Sequence, residues 1–227
     1  MKDIKVQRGY YLIHKLIDEG EHETQDFKFA ISDARKIARS ISAFANRRGG
    51  SLLIGVKDNG AVAGVRSEED IYVVEQAAQM YCEPPQEVGF QAYRVEDGLT
   101  VIRATVAAAS ERPVSVREGD GRLRAYYRVA DENIAAHPLM VRAWRMQASH
   151  APELGTISLD GPVAQIVRAV TEAADTQPLT PERVALQLHL SQATANAHIA
   201  TLLALGILDF AFTPTAHTFI LVPPTQN

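Results

Sequence analysis

The sequence of 227 residues predicts an α+β fold, in which helices pack against a mostly antiparallel sheet, with a smaller and mainly helical domain after it. Three observations favour this prediction. In the first 150 residues, segments with a two-residue hydrophobic period alternate with segments of helical period. Asn-Gly and Asp-Gly pairs separate neighbouring strand-like segments, which is typical of hairpins. After residue 150 a Pro/Gly stretch precedes an alanine-rich helical pattern.

The first domain, residues 1–150, is predicted to contain three helices. Gly20 follows the first helical pattern where a C-terminal cap is expected. In the second, Ile37, Ile41 and Phe44 recur at helical spacing, and Ser32 or Asp33 is a suitable N-cap. The third begins with acidic residues, which the helix dipole favours, and ends before a Pro-Pro pair. The predicted helices cover residues 10–19, 33–46 and 67–81.

Strands are predicted between and after these helices. Two pairs form hairpins, one turning at Asp58-Asn59-Gly60 and one at Glu96-Asp97-Gly98. Later short strands are expected to complete the same sheet. The predicted strands cover residues 26–30, 51–57, 61–65, 88–95, 99–106, 114–116 and 124–129.

The second domain, residues 151–227, begins with the linker-like stretch Ala151–Gly155. Thr180 is a suitable N-cap and Pro181 occupies the first helical position after it. Helices are predicted at residues 163–174, from 180 onward and at 194–205, and strands at 207–212 and 218–222. A helix, a helix-turn-helix and a β-hairpin in this order predict a winged helix-turn-helix domain.

Composition restricts the functional class. The net charge is −4, and the whole deficit lies in residues 151–227, because residues 1–150 contain equal numbers of basic and acidic residues. The single cysteine, Cys82, excludes an internal disulfide and fits a reducing compartment. No apolar run approaches the ~20 residues that span a bilayer, and the first residues do not resemble a secretory signal. We therefore expect a cytoplasmic protein without membrane contact.

Four motifs in residues 10–140 together resemble the Schlafen-type AlbA-like domain. They are Asp26-Phe27-Lys28, where the family usually has Glu-Phe-Lys, Ala43-Phe44-Ala45-Asn46 before Gly49-Gly50, the turn 55–60, and Tyr127-Arg128-Val129. The resemblance implies a sheet-and-helix domain that pairs with itself as a homodimer and is commonly followed by a winged-helix module. It also implies nucleic-acid binding, and a transcriptional regulator is the expected role.

Basic residues are concentrated in the second helix and its flanks. Residues 28–48 contain six basic side chains and one acidic side chain, and Arg35 and Arg39 lie one helical turn apart. Such side chains supply phosphate contacts, which determine affinity and salt dependence rather than sequence preference. We expect a nucleic acid, DNA rather than RNA, to contact Lys28, Arg35, Lys36, Arg39, Asn46, Arg47, Arg48 and Arg128. The alternative is an ordinary solvated helix face beside a glycine turn.

A different function follows from carboxylates, because some animal Schlafen proteins cleave RNA with three of them. By position in the motif, Glu21, Asp26 and Asp58 correspond, and Mg²⁺ or Mn²⁺ would be the cofactor. Against this, Asp26 is shorter than the usual Glu and Asp58 suits a tight turn for its own sake. The main interpretation therefore includes no catalytic residue and no cofactor. The chain also lacks the Gly-Lys-Ser/Thr of a P-loop and any close metal-ligand spacing of histidines.

The predicted recognition helix of the second domain is polar but uncharged. Side chains that can reach base edges are Gln192, Thr194, Asn196 and His198. However, residues 191–227 contain neither Lys nor Arg, so electrostatic attraction to DNA is absent there. The alternative for this domain, and a third interpretation of the whole chain, is a dimerisation or protein-interaction module without nucleic-acid binding.

Overall fold

The computed structural model describes residues 4–29, 31–65, 69–95, 98–150, 160–173, 179–214 and 218–224. The chain divides into two compact units, Met1–Ala136 and His137–Asn227. The predicted linker Ala151–Gly155 lies outside the described residues, as do the first residues of the predicted helix 67–81 and the turn residues 96–97.

The described residues of the first unit form two sheets. Its strands are β1 (Val6–Arg8), β2 (Gln25–Lys28), β3 (Gly50–Ile54), β4 (Cys82–Glu83), β5 (Val88–Arg94), β6 (Thr100–Val106), β7 (Ser115–Arg117), β8 (Leu123–Val129) and β9 (Glu132–Ala135). The five-stranded sheet has the order β1-β5-β6-β3-β2, in which β1 is parallel to β5 and β2 is parallel to β3. The four-stranded sheet has the order β4-β7-β8-β9 and is antiparallel.

The helices of this unit are α1 (Tyr10–Glu19), α2 (Ala34–Ala45) and α3 (Glu69–Gln76), which continues into a π-helical segment at Ala77–Tyr81. Helix α2 packs on strands of both sheets, so its apolar side is enclosed between them. Ile37, Ile41 and Phe44 are each no more than 2% exposed. Helix α1 covers the opposite face of the five-stranded sheet, where Ile13 packs with Phe27 and the residues around it. The apolar stripe of Ile37, Ile41 and Phe44 therefore determines which other α2 residues remain at the surface.

The structure confirms the α+β class and the helix Tyr10–Glu19. Three details differ from expectation. The return strand 61–65 is reduced to a single bridge between Val56 and Val62, because Gly55 and Gly64 have positive φ and their backbones meet in a tight turn. The strands near 114–116 and 124–129 form a separate sheet instead of extending the first. The short strands β1, β4 and β9 were not predicted.

The second unit contains helices α4 (Pro138–Ala148), α5 (Gly161–Ala173), α6 (Pro181–Gln187) and α7 (Gln192–Ala204), followed by the hairpin of β10 (Asp209–Thr213) and β11 (Thr218–Val222). The side chains of Thr180 and Ser191 cap α6 and α7 by accepting backbone N–H groups. The core of the unit includes Ile166, Ile199 and Leu221. Helix α4 was not predicted from the sequence. No described helix is long and apolar enough to span a membrane.

Candidate nucleic-acid interface

The N-terminal half of α2 presents basic side chains to solvent. The Asp33 carboxylate caps the helix by accepting the backbone N–H groups of Arg35 and Lys36, which orients the first turn. Because the apolar stripe of α2 faces the core, Arg35 and Lys36 point outward and are exposed. The Arg35 guanidinium lies 5.0 Å from the centre of the Tyr81 ring, which holds it over the end of the π-helical segment.

Arg39 lies one turn further along and is held by a bidentate ion pair. Its Nε and Nη2 atoms donate to the Glu118 carboxylate at 2.9 and 2.7 Å, and its guanidinium lies 5.6 Å from the Tyr126 ring. The hydrogen bond from Arg39 lowers the pKa of Glu118, against the effect of burial. Burial raises the pKa of Tyr126 to about 12, and its hydroxyl donates to Glu118. Arg39 remains 40% exposed despite this pairing.

Arg124 joins this group from strand β8, and sequence reasoning missed it. Arg124 lies two residues before Tyr126 on β8, so its side chain is on the same face of the strand as the Tyr126 ring that the Arg39 guanidinium covers. Arg124 is exposed and lies opposite Val116 in the β7–β8 register. The nearby charge was not evident from the sequence, because Arg39 and Arg124 are 85 residues apart. We call the group of Arg35, Lys36, Arg39 and Arg124 the α2 cationic face.

The two arginines after α2 have different environments. Arg47 forms an ion pair with Glu23 at 3.0 Å, and its guanidinium lies 4.3 Å from the Tyr127 ring. Arg48 is exposed. Gly49 has a φ of +78°, and an added Cβ would lie 2.7 Å from the carbonyl oxygen of Val106. This glycine therefore allows the close packing of α2 and β3 on β6.

Two residues predicted to contact nucleic acid are buried. The Asn46 side chain is 1% exposed; it accepts from the Val114 N–H and donates to the carbonyls of Val114 and Tyr126. Arg128 is also 1% exposed, and its guanidinium lies 5.3 Å from the Phe44 ring. The structure therefore places both side chains in the interior, where they join segments of the unit.

Strand β2 is at the edge of the five-stranded sheet, so one of its sides has no neighbouring strand. Residues of the motif surround this side, namely Glu21, Asp26-Phe27-Lys28 and Arg128. Strand β3 occupies one edge of β2, and Gln25 and Phe27 direct their N–H and C=O groups outward. At Gln25, the N–H donates to the His22 carbonyl and the carbonyl accepts from the Arg128 guanidinium. At Phe27, the N–H donates to the Glu21 carboxylate and the carbonyl accepts from the Lys28 ammonium group. All four outward groups are paired, so this edge cannot accept another strand.

Of the three candidate carboxylates, Glu21 and Asp26 are adjacent. Burial is the main cause that raises the pKa of Glu21, and the neighbouring Asp26 carboxylate raises it further. Burial also acts to raise the pKa of Asp26, but Glu21, Lys28 and Arg128 together outweigh it and lower that pKa. Lys28 Nζ lies 2.8 Å and Arg128 Nη2 3.5 Å from the Asp26 carboxylate. Asp58 is exposed in its turn, and no three acidic, His or Cys groups among the described residues form a metal-binding cluster.

The candidate base-reading residues of the second unit lie on α7. The Gln192 amide donates to Asn196 at 2.8 Å, and the Thr194 hydroxyl is hydrogen-bonded to Ser191, which caps the helix. Gln192 and Thr194 are exposed, whereas Asn196 and His198 are partly buried. The first two side chains are therefore the more accessible ones on this helix.

Comparison with known proteins places the first unit in a family. Among curated proteins, none matches the chain. The crystal structure of the DIP2311 protein from Corynebacterium diphtheriae is 21% identical with a TM-score of 0.43, and the match covers 74% of this chain and 34% of that one. The N-terminal domain of a putative ATP-dependent DNA helicase RecG-related protein from Nitrosomonas europaea is 21% identical with a TM-score of 0.40. That match covers 54% of this chain and 88% of the Nitrosomonas domain. This chain thus spans about a third of the DIP2311 protein.

The family model described as Schlafen, AlbA_2 matches residues 21–137, just over half of the chain. The matched range begins at Glu21, includes α2 and every strand of the two sheets except β1, and ends where the second compact unit begins. It therefore contains the closed β2 edge, the buried Asn46 and Arg128, and the α2 cationic face. The protein belongs to the Schlafen AlbA_2 family.

Proposed function

We propose that this protein binds nucleic acid, DNA in preference to RNA, through the α2 cationic face. The observation that supports this most directly is the exposure of Arg35 and Lys36 in the first turn of α2. Arg39 follows one turn later, and Arg124 lies on the same face of β8 as the Tyr126 ring that Arg39 covers. Ring contacts hold the guanidinium groups of Arg35 and Arg39 in place. Guanidinium groups held in this way bind phosphate oxygens at a low entropic cost.

The buried residues of the motif have a supporting role in this proposal. Asn46 and Arg128 hold α2 against β8 and β2, so they position the cationic face without contacting the ligand. Like Arg39, Lys28 and Arg47 are paired with carboxylates, but their side chains are only 30% and 21% exposed, compared with 40% for Arg39. Arg48 is the exposed residue beyond the helix that extends the surface. The arrangement disfavours the ribonuclease alternative, because Lys28 and Arg128 already neutralise the Asp26 carboxylate.

We propose that the second unit mediates assembly into a homodimer. The proposed cellular role of the protein is that of a cytoplasmic transcriptional regulator. The order of α5, α6, α7 and the β10–β11 hairpin is that of a winged helix. Residues 137–227 contain four basic and six acidic residues, and α7 has no Lys or Arg. Assembly through this unit would bring two α2 cationic faces to one duplex, which increases affinity without base readout.

The Arg35→Ala/Lys36→Ala variant tests the proposal. We expect weaker binding to a fluorescent DNA duplex, measured by anisotropy, and a plot of log K against log[salt] that is shallower by roughly two, one unit per phosphate contact. The Arg168→Ala/Arg183→Ala variant is the matched control, because it removes two positive charges from the second unit and should bind as the unaltered protein does. Equal loss in both variants, or no binding by the unaltered protein at low salt, would contradict the proposal. Repeating the titration with duplex RNA measures the preference for DNA.

A further inference from the structure

Helix α1 covers only part of its side of the five-stranded sheet, which we call the α1 side. Ile13 of α1 packs in one cluster with Leu53 and Val101. Further along β5 and β6, Gly89 and Thr105 are register partners on the same side of the sheet, and both are exposed. Part of the α1 side is therefore open to solvent.

Arg103 lies at the boundary between the covered part and the open part. It follows Val101 by two residues on β6, so both side chains are on the α1 side. Arg103 is partly exposed, but its Nε atom is buried and has no hydrogen-bond partner. No carboxylate among the described residues lies within ion-pair distance of its guanidinium. A buried donor on a cation lacks an acceptor here, and an anion would supply one.

Gln91 adds further donors beside Arg103. It is the register partner of Arg103 on β5, on the same side of the sheet, and it is exposed. Its amide oxygen accepts from the hydroxyl of Tyr93, which orients the amide. The NH2 group of the amide carries two donors. Donors of two neighbouring strands are thus presented together.

Lys5 is placed on the other side of Gln91 by strand β1. Val6 pairs with Ala92 in the parallel register of β1 and β5. Ile4 and Val6 both pack against the core around α2. Because successive side chains of an extended segment alternate, Lys5 is directed to the α1 side, level with Gln91. Lys5 is exposed. We call Lys5, Gln91 and Arg103 the donor row.

Acidic residues of the described part of the chain lie away from the donor row. On the α1 side, the strand residues besides Arg103 are uncharged. Helix α1 has Asp18 and Glu19 in its last turn, where the Gly20 carbonyl accepts from Gln25 of β2. Strand β2 is at the opposite edge of the sheet from β1. Glu87 precedes β5, about 13 Å along an extended strand from the donor row.

We propose that the donor row binds a phosphate group. Neighbouring strands are about 4.8 Å apart, so the long side chains of Lys5 and Arg103 can converge over Gln91. A phosphate offers more acceptor oxygens and more negative charge than a carboxylate, and it matches two cations with an amide between them. The donor row lies on the opposite side of the sheet from α2, so this site is separate from the proposed nucleic-acid interface.

The test is an NMR titration of the 15N-labelled protein with inorganic phosphate at pH 7 and constant ionic strength. We expect saturable shifts of the Gln91 side-chain amide and of its neighbours on β1 and β6, and smaller shifts with acetate. Arg103→Gln should weaken phosphate binding at least about tenfold, because a charge-assisted hydrogen bond is lost. Lys5→Gln should also weaken it.

Two variants control for charge and for folding. Arg94→Gln removes the same charge from an exposed arginine of β5 that points to the other side of the sheet, so it should leave the affinity unchanged. Arg103→Lys keeps the charge and should bind phosphate more tightly than Arg103→Gln does. Shifts that do not saturate, or equal affinities of Arg103→Gln and the unaltered protein, would overturn the inference.

A second titration, with an oligothymidylate, identifies the source of the phosphate. If it shifts the same signals and Arg103→Gln weakens its binding, the donor row binds a nucleic-acid backbone. If only inorganic phosphate shifts them, the ligand is a small phosphorylated molecule. Either result supports the site. Arg35→Ala/Lys36→Ala should leave the phosphate titration unchanged, so failure of the proposed function is distinguishable from failure of this inference.

Discussion

At the scale of single residues, charged side chains of the family motif are used to satisfy other groups of the protein. Arg128 donates to the carbonyls of His22 and Gln25 and lies near the Asp26 carboxylate. Its side chain is only 1% exposed. Arg39 retains partial exposure because Glu118 engages only one side of its guanidinium. A positive charge in the sequence is therefore available to a ligand only where no carboxylate or carbonyl encloses it.

The pair of Arg39 and Glu118 makes stability depend on pH. The pKa of Glu118 is below its ordinary value of 4.5, because Arg39 stabilises the charged carboxylate. A lowered pKa adds stability above the unfolded pKa, and this stability is lost as the pH falls through the folded pKa. We expect Glu118→Gln to be less stable than the unaltered protein at pH 7, and the difference in stability to narrow as the pH falls below the ordinary carboxyl pKa of 4.5 towards the lowered pKa of Glu118. Urea unfolding at several pH values measures it. A difference in stability that does not change with pH would show that the ionisation of Glu118 is not its source.

At the scale of elements, the edge of β2 and the face of α2 depend on each other. The outward backbone groups of β2 are paired by Glu21, Lys28 and Arg128, while Ser40 on α2 donates to Asp26 at 3.1 Å. Asn133 of β9 donates to Ser40 and accepts from Arg128. The closed edge thus connects both sheets through α2, which explains why so many polar residues of the motif are needed in the interior.

Loss of one member of this network should have a large effect. We expect Arg128→Met to lower the free energy of unfolding by about 3–5 kcal/mol, because the Asp26 carboxylate loses a cation and two carbonyls lose their donor in the interior. Arg124→Met, on the same strand but exposed, is the control and should cost less than about 1 kcal/mol. Equal effects would show that the interior position of Arg128 has no energetic consequence.

At the scale of the whole molecule, the two compact units have separate cores. The first unit is centred on α2 and its sheets, and the second has its own buried residues on α4–α7 and the hairpin. The distribution of charge differs in kind between them. The first has a basic surface within a nearly neutral unit, whereas α7 and the hairpin have no basic residue. A net charge of −4 is therefore compatible with binding to an anion, since local fields determine the encounter.

Separate cores predict separate unfolding. The single tryptophan, Trp144, lies in α4 of the second unit, so its fluorescence reports that unit. We expect Arg128→Met to lower the urea midpoint seen by far-UV circular dichroism, which averages both units, and to leave the midpoint of Trp144 fluorescence unchanged. Should both midpoints shift together, the two units unfold as one.

Local patterns were sufficient for many elements. The spacing of Ile37, Ile41 and Phe44 predicted α2, and the alternation around residues 88–106 predicted the β5–β6 hairpin, because both depend on near neighbours in the chain. Very short strands such as β4 have too few residues to show a period. Glycine contacts near Gly55 converted an expected strand into a turn. The candidate site was predicted in part: Arg35, Lys36, Arg39 and Arg48 retain surface exposure, whereas Arg124 was missed.

By itself the sequence determined the α+β class, the family resemblance and the basic character of α2, since these follow from the order and type of neighbouring residues. Only the tertiary structure decided which of the basic and amide side chains are buried, because burial depends on which strands pack on α2. Asn46 and Arg128 are interior because β8 packs on α2. The same packing places the Tyr126 ring under Arg39, with Arg124 on the same face of β8. Strand pairing between distant segments has no signature in local periodicity, and for this physical reason the sequence predicts the helix α2 but not which of its polar neighbours are buried.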